Sequence, residues 1–310
     1  MRVPVLALIA AAAAFGQNGK QASPPVPDAG KQNVFSLDVT RVNLLFTVSD
    51  RKGRFISNLG REDFEILENK KPQEILEFTA ETDLPLRLAI LIDTSNSIRD
   101  RFHFIQEAAT DFLTRVMRSG KDKALVMSFD TSAELVTGLT DDSTTLLKAI
   151  RDLRPGGGTA LYDAIFTSCR DQLIKDQPRD KFRRAIIILS DGEDNQSHWT
   201  REQALEMAHK ADSVVYTIST NISHVESDGD KVLKHFAEDT GGVAFFPFKV
   251  QDLAQSFENI ANELRHQYNI FYRPNPLRTD GLYHPVEIRV KDKKEMVVRA
   301  RHGYYAPTQP

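Results

Sequence analysis

At 310 residues the chain is long enough for two domains of roughly 100 to 200 residues each. Its 41% hydrophobic and 27% charged residues are ordinary for a soluble, folded protein. Forty Lys and Arg against 43 Asp and Glu leave a formal charge of -3, which removes any electrostatic reason to expect nucleic acid as a partner.

Residues 1–16 read as a secretory signal peptide. Met1-Arg2 is positive, residues 3–15 are almost wholly small and apolar, and Ala14 and Gly16 satisfy the small-residue rule for cleavage before Gln17. About thirteen apolar residues fall short of the roughly 20 that span a bilayer. The expectation is a secreted or periplasmic protein associated with the cell envelope, with no membrane-spanning segment in the mature chain. No cysteine near the cleavage point offers a lipid attachment. Residues 17–34, with Pro24-Pro25-Val26-Pro27-Asp28-Ala29-Gly30, read as a flexible linker.

A strand-rich block follows over 35–82. Strands are expected at 42–48, 64–68 and 75–78, with turns at Asp50-Arg51-Lys52-Gly53 and Asn69-Lys70-Lys71-Pro72. From 83 to 264 strand and helix alternate. Apolar strands are expected near 85–92, 123–129, 184–190, 213–219 and 242–247, and helices near 98–118, 142–150, 160–176, 199–211, 230–238 and 250–264. Near-continuous apolar runs such as 185–189 indicate parallel strands covered on both faces. Residues 133–137 arrive too soon after their neighbour for a crossover helix, so they are expected to form an antiparallel edge strand. Residues 265–306 again carry strand signals, at 267–272, 286–290 and 296–301, before a tail at 307–310. Neither terminal block has much core of its own. Together they predict a small β-sandwich of six or seven strands built from both termini, with an α/β domain inserted: a doubly wound, mostly parallel sheet with one antiparallel edge strand.

The chemistry collects at strand ends. Asp93-Thr94-Ser95-Asn96-Ser97 follows an apolar strand and delivers a carboxylate and two hydroxyls spaced two residues apart. Gly156-Gly157-Gly158-Thr159 precedes a helix and adds a third hydroxyl; Ser190-Asp191-Gly192 follows another strand and adds a second carboxylate. Helix capping explains any one of them alone. Combined at one sheet edge, where ligands of open α/β folds bind, they suit a hard divalent cation held through oxygen. Mg²⁺ fits the mixed hydroxyl and water shell better than Ca²⁺; Mn²⁺ and Ca²⁺ are the other candidates.

Asp93-x-Ser95-x-Ser97 with Thr159 and Asp191 resembles the metal-ion-dependent adhesion site of von Willebrand factor type A domains, and every position of that pattern is filled. The resemblance implies that Ser95, Ser97 and Thr159 ligate directly when ligand is bound, with Asp93 and Asp191 acting largely through waters. The flanks, Asp63-Phe64-Glu65-Ile66-Leu67-Glu68-Asn69 with Pro72-Gln73-Glu74-Ile75 and Arg299-Ala300-Arg301-His302-Gly303-Tyr304-Tyr305-Ala306, look like exported, acidobacterial-type proteins related to that family.

Two carboxylates balance a divalent ion and leave an exchangeable position for an Asp or Glu of a protein partner. The expected function is therefore cation-dependent protein recognition or adhesion. The alternative is a structural or assembly module whose metal site is stabilising or vestigial. An enzyme is not expected: there is no His-Glu-x-x-His, no lysine in the glycine turn and no nucleophile elbow at Ser190. Cys169, the single cysteine, has helical spacing with Ile165 and Leu173 and reads as a buried hydrophobe. Asp194 and Asn195 are placed near the rim or in a solvated loop, and the basic run 179–184 at a solvated strand end.

Overall fold

The computed structural model describes residues 41–80, 84–178, 181–221, 223, 225–247, 249–291 and 295–308. These belong to a compact unit running from Val39 to Pro310. The expected signal peptide and linker, 1–34, lie outside the described residues.

The amino-terminal block supplies β1 (Val42–Ser49), β2 (Phe64–Glu68), β3 (Lys71–Gln73) and β4 (Ile75–Thr79). The α/β region then runs β5 (Leu86–Asp93), a 3₁₀ stretch Asn96–Arg101, α1 (Phe102–Val116), β6 (Lys123–Phe129), β7 (Ala133–Thr140) and α2 (Ser143–Asp152). It continues with α3 (Leu161–Ser168), β8 (Arg183–Ser190), α4 (Arg201–Lys210), β9 (Ser213–Ser219), α5 (Asp228–Thr240), β10 (Ala244–Phe245) and α6 (Val250–Arg265). Last come β11 (Tyr268–Tyr272), β12 (Tyr283–Val290), β13 (Val297–Ala300) and β14 (Gly303–Tyr305).

The central sheet has the order β10-β9-β8-β5-β6-β7, parallel except for β7, which pairs antiparallel with β6. Strand geometry sends alternate side chains to opposite faces. On β5, Leu88, Ile90 and Ile92 pack with Ile105 and Phe112 of α1 and Phe257 and Ile260 of α6, whereas Ala89 and Leu91 pack with Ile165 of α3 and Leu233 and Phe236 of α5. Full burial of each such Leu or Ile contributes about 1.5–3 kcal/mol, which is why a strand with no polar face is stable only between two helix layers. The doubly wound sheet and its antiparallel edge are as the sequence predicts. Among the described residues no helix is long and apolar enough to cross a membrane.

The terminal blocks form two antiparallel four-stranded sheets, β13-β1-β11-β4 and β14-β12-β2-β3. Their inner faces share a core containing Leu44, Phe46, Phe64, Ile66, Tyr268, Ile270 and Ile288. The sandwich joining both ends is therefore present, with eight strands where six or seven are expected. Part of the expected turn 69–72 is strand. Asn69 (φ 48°) and Lys70 (φ 66°) alone make the turn, so Lys71 already pairs with Glu68 and Pro72 faces Leu67 on an edge strand, where its missing N–H costs no ladder bond. The expected strand 242–247 shrinks to β10, and the helix expected over 160–176 passes after Ser168 into a π turn, Cys169–Leu173.

A second correction concerns the basic run. Arg183 and Arg184 are buried, not solvated. The Arg183 guanidinium donates to the carbonyl of Leu84 at 3.0 Å, and that of Arg184 to the carbonyls of Leu173 at 3.0 Å and Asp176 at 2.6 Å. These carbonyls lie at the amino edge of the sheet and at the end of the π turn, and a planar multi-donor head suits them. Close by, Arg299 of β13 pairs with Glu263 of α6 at 2.9 Å, and Arg301 with Asp212 at 2.7 Å, joining the sandwich to the α/β region. The carboxyl edge is left to the donor groups.

Candidate metal centre

Asp93 ends β5 fully buried, beside the last residues of its sheet neighbour β8. One carboxylate oxygen accepts the Ser95 N–H at 2.8 Å, and the other accepts the Ser190 hydroxyl at 2.6 Å. The Ser190 hydroxyl in turn accepts the Gly192 N–H at 3.0 Å, so one side chain orients both Asp93 and the turn carrying Asp191. Ser95 and Ser97 stand with their hydroxyl oxygens 2.9 Å apart, Ser95 buried and Ser97 exposed. Asp191 is half-buried, and one of its oxygens accepts the Glu193 N–H at 3.2 Å.

Thr159 arrives on the glycine loop. The Gly156 N–H donates to the Thr94 carbonyl at 2.6 Å, and the Asn96 N–H to the Gly157 carbonyl at 3.3 Å, so this loop is tied to the one that carries Asp93, Ser95 and Ser97. Gly157 sits at φ +85° with the Asp130 side chain and the Thr131 hydroxyl within about 3 Å of where a Cβ would be, which explains a glycine there better than flexibility does. On the other side, the N–H groups of Asn195 and Gln196 both donate to the Thr159 carbonyl at 3.0 Å. The five residues singled out from sequence thus come from three loops that are hydrogen-bonded to one another at the carboxyl edge of the sheet.

Burial pushes the Asp93 carboxyl up to about 6, helped by the nearby Asp191 charge and opposed by donation from Ser190 and Ser95. Among the described residues no group of three or more His, Cys, Asp and Glu is assembled for a metal; the candidate donor set is the mixed one of two carboxylates and three hydroxyls. A buried carboxylate with a second carboxylate near it and only neutral donors fits a bound divalent cation, whose charge would offset both. Residues holding it would be Asp93, Ser95, Ser97, Thr159 and Asp191.

Sequence reasoning considered Ser190 only as a nucleophile and missed its bridging role. Asp194 and Asn195, placed at the rim, are tied down: Asp194 accepts the Tyr162 N–H at 3.1 Å and the Ser197 hydroxyl at 2.6 Å, and Asn195 accepts the Thr159 N–H at 3.1 Å. Asp163, on the first turn of α3, accepts the His198 and Trp199 N–H groups, each at 2.9 Å. A helix N-terminal acid is a signal that could have pointed to this docking, because its carboxylate is free to accept from a neighbouring loop.

Residues 88–193 match the family model described as von Willebrand factor type A domain, a match that the sheet order described above supports. A curated relative, calcium-activated chloride channel regulator 1 of Bos taurus, is 26% identical over 182 residues, covering 56% of this chain and 19% of that protein. The chain thus spans about a fifth of that relative's length. The solved von Willebrand factor type A protein from Catenulispora acidiphila covers 79% of this chain and 73% of its own at 16% identity and a TM-score of 0.51. Proximal thread matrix protein 1 from the mussel byssus, solved with a zinc-occupied MIDAS motif, has 19% identity and a TM-score of 0.51 over 64% of this chain and 49% of its own. At these identities the two structures speak to the fold.

Proposed function

We propose that this chain is a divalent-cation-dependent protein-recognition module, acting in adhesion or assembly at a bacterial cell envelope after export directed by residues 1–16. Asp93, Ser95, Ser97, Thr159 and Asp191 hold Mg²⁺, and a partner protein completes the shell with an Asp or Glu. The observation that carries this reading is the fully buried Asp93 at the junction of three mutually bonded loops. The mussel protein, similar in fold, was solved with its MIDAS motif zinc-occupied, which supports a divalent ion as the cation here. Two carboxylates offset the ion's charge, while neutral hydroxyls leave it electrophilic enough to attract an incoming carboxylate. Hydroxyl ligands supply no general base, so the site binds and does not catalyse.

Calorimetric titration with Mg²⁺ tests the reading directly. The wild type is expected to bind one ion, and Asp191→Ala to bind at least tenfold more weakly with its circular dichroism unchanged, because a charged oxygen donor is lost from a half-buried position. Unchanged affinity in that variant rejects the assignment. Capture of envelope proteins with Mg²⁺, with chelator and with Thr159→Ala then tests the partner: identical binding under the three conditions would move the reading to a structural module.

A further inference from the structure

Thr159 is the one proposed ligand whose loop precedes a helix and does not end a strand, so the sheet does not fix it. Its position is set by what the loop touches. The contact on one side is made by Asn195 and its neighbour: the Asn195 side-chain oxygen accepts the Thr159 N–H at 3.1 Å, while the Asn195 and Gln196 N–H groups both reach the Thr159 carbonyl at 3.0 Å. Both main-chain polar groups of Thr159 are therefore occupied by the segment that follows Asp191. The fit is close: a Cβ on Gly158 would lie 2.8 Å from the Asn195 oxygen and 2.8 Å from Cγ of Gln196. That segment is itself anchored on α3 through Asp194 to the Tyr162 N–H and through Asp163 to the His198 and Trp199 N–H groups.

We infer that Asn195 is a positioning residue of the metal centre, locking the Thr159 loop to the Asp191 loop so that a hydroxyl donor and a carboxylate donor are presented as one rigid unit. This rests on the ligand reading given above. Asn195 touches no proposed ligand oxygen; it acts through the main chain of Thr159. The arrangement has a physical purpose. A hydroxyl is a weak neutral ligand, so its contribution depends on being held in place before the ion arrives, and groups that orient a ligand carry a share of the affinity comparable to the ligand's own. Asn195 is an exposed residue, and removing its amide takes one hydrogen bond from the surface and leaves the core untouched.

The test is a double-mutant cycle in the full chain, read by Mg²⁺ calorimetry and by melting in chelator. Asn195→Ala is expected to weaken Mg²⁺ binding roughly tenfold, with the melting temperature in chelator nearly unchanged. Asn195→Asp, which keeps an acceptor for the Thr159 N–H, is expected to recover most of that affinity. Gly158→Ala should reproduce the Asn195→Ala loss, because its Cβ displaces the same acceptor. In a Thr159→Ala background, whose main chain still meets residue 195, Asn195→Ala should cost less than about twofold, since the hydroxyl it positions is gone. Wild-type affinity in Asn195→Ala, or losses that simply add across the cycle, would overturn the inference while leaving the metal centre standing. Wild-type affinity in Thr159→Ala would instead remove the ligand reading itself, and the inference with it.

Discussion

The ion pair between Arg299 on β13 and Glu263 on α6 offers a quantitative test of how the sandwich is held to the α/β region. The Glu263 side chain is 3% exposed and that of Arg299 is 32% exposed, with 2.9 Å between donor and acceptor. Besides Arg299, the Glu263 carboxylate has the Thr47 hydroxyl at 3.5 Å. Arg299→Met keeps the apolar stem and removes the charge, leaving a buried carboxylate nearly alone. Breaking a buried pair in this way costs about 3–5 kcal/mol; water reaches the Arg299 end and screens the pair, so the cost here falls to the bottom of that range or just below it, about 2–3 kcal/mol. For a protein of this size that is a fall in melting temperature of about 5–10 °C. Glu263→Gln should cost much less, because the charge left behind is the one water can reach.

The pH dependence gives the argument its sign. Burial raises the Glu263 pKa above the ordinary carboxylate value, and Arg299 opposes that rise. A raised folded-state pKa means that stability from this group is full below the unfolded pKa and is lost as pH climbs through the folded value. Without Arg299 the pKa moves up further. The Arg299→Met deficit should therefore be largest near neutral pH and shrink as pH is lowered from about 8 towards 5, where the lone carboxyl takes up a proton. Differential scanning calorimetry of the wild type and both variants across that range checks it. A deficit independent of pH, or Glu263→Gln as damaging as Arg299→Met, would refute the reasoning.

Gly192→Ala is expected to cost about 2–4 kcal/mol, because the residue sits at φ +82° and its Cβ would lie 2.1 Å from the Gly229 carbonyl oxygen; a melting temperature within a degree of wild type would show that the Asp191 turn is softer than its packing suggests. Cys169 is fully buried, and that burial pushes its thiol up to about 12. The folded protein should thus leave a thiol reagent unreacted at about pH 8 while the denatured chain releases one equivalent; equal rates in the two states would contradict the buried placement.

Much of the α/β region was legible in the chain. Apolar runs without a polar face, such as 185–189, require two covering layers, and a short connection cannot hold a crossover helix, so the parallel sheet and the antiparallel edge β7 follow from local pattern and connection length. Asp93, Ser95, Ser97, Thr159 and Asp191 were equally visible, because donors at fixed spacing behind strands and a glycine turn are written in single short segments. The strands β3 and β14 were not: each has three residues and is stabilised by its neighbour, β2 or β12, in the folded sheet. The burial of Arg183 and Arg184 was hidden for a related reason, since a guanidinium belongs in the interior only where carbonyls such as those of Leu84, Leu173 and Asp176 accept from it, and those lie in other segments. Asn195 shows the division most sharply. Its place just after Asp191 in the sequence fits the rim or any solvated loop; only the tertiary structure shows its bond to Thr159, 36 residues away, because hydrogen bonds across loops depend on distances that no one-dimensional pattern contains.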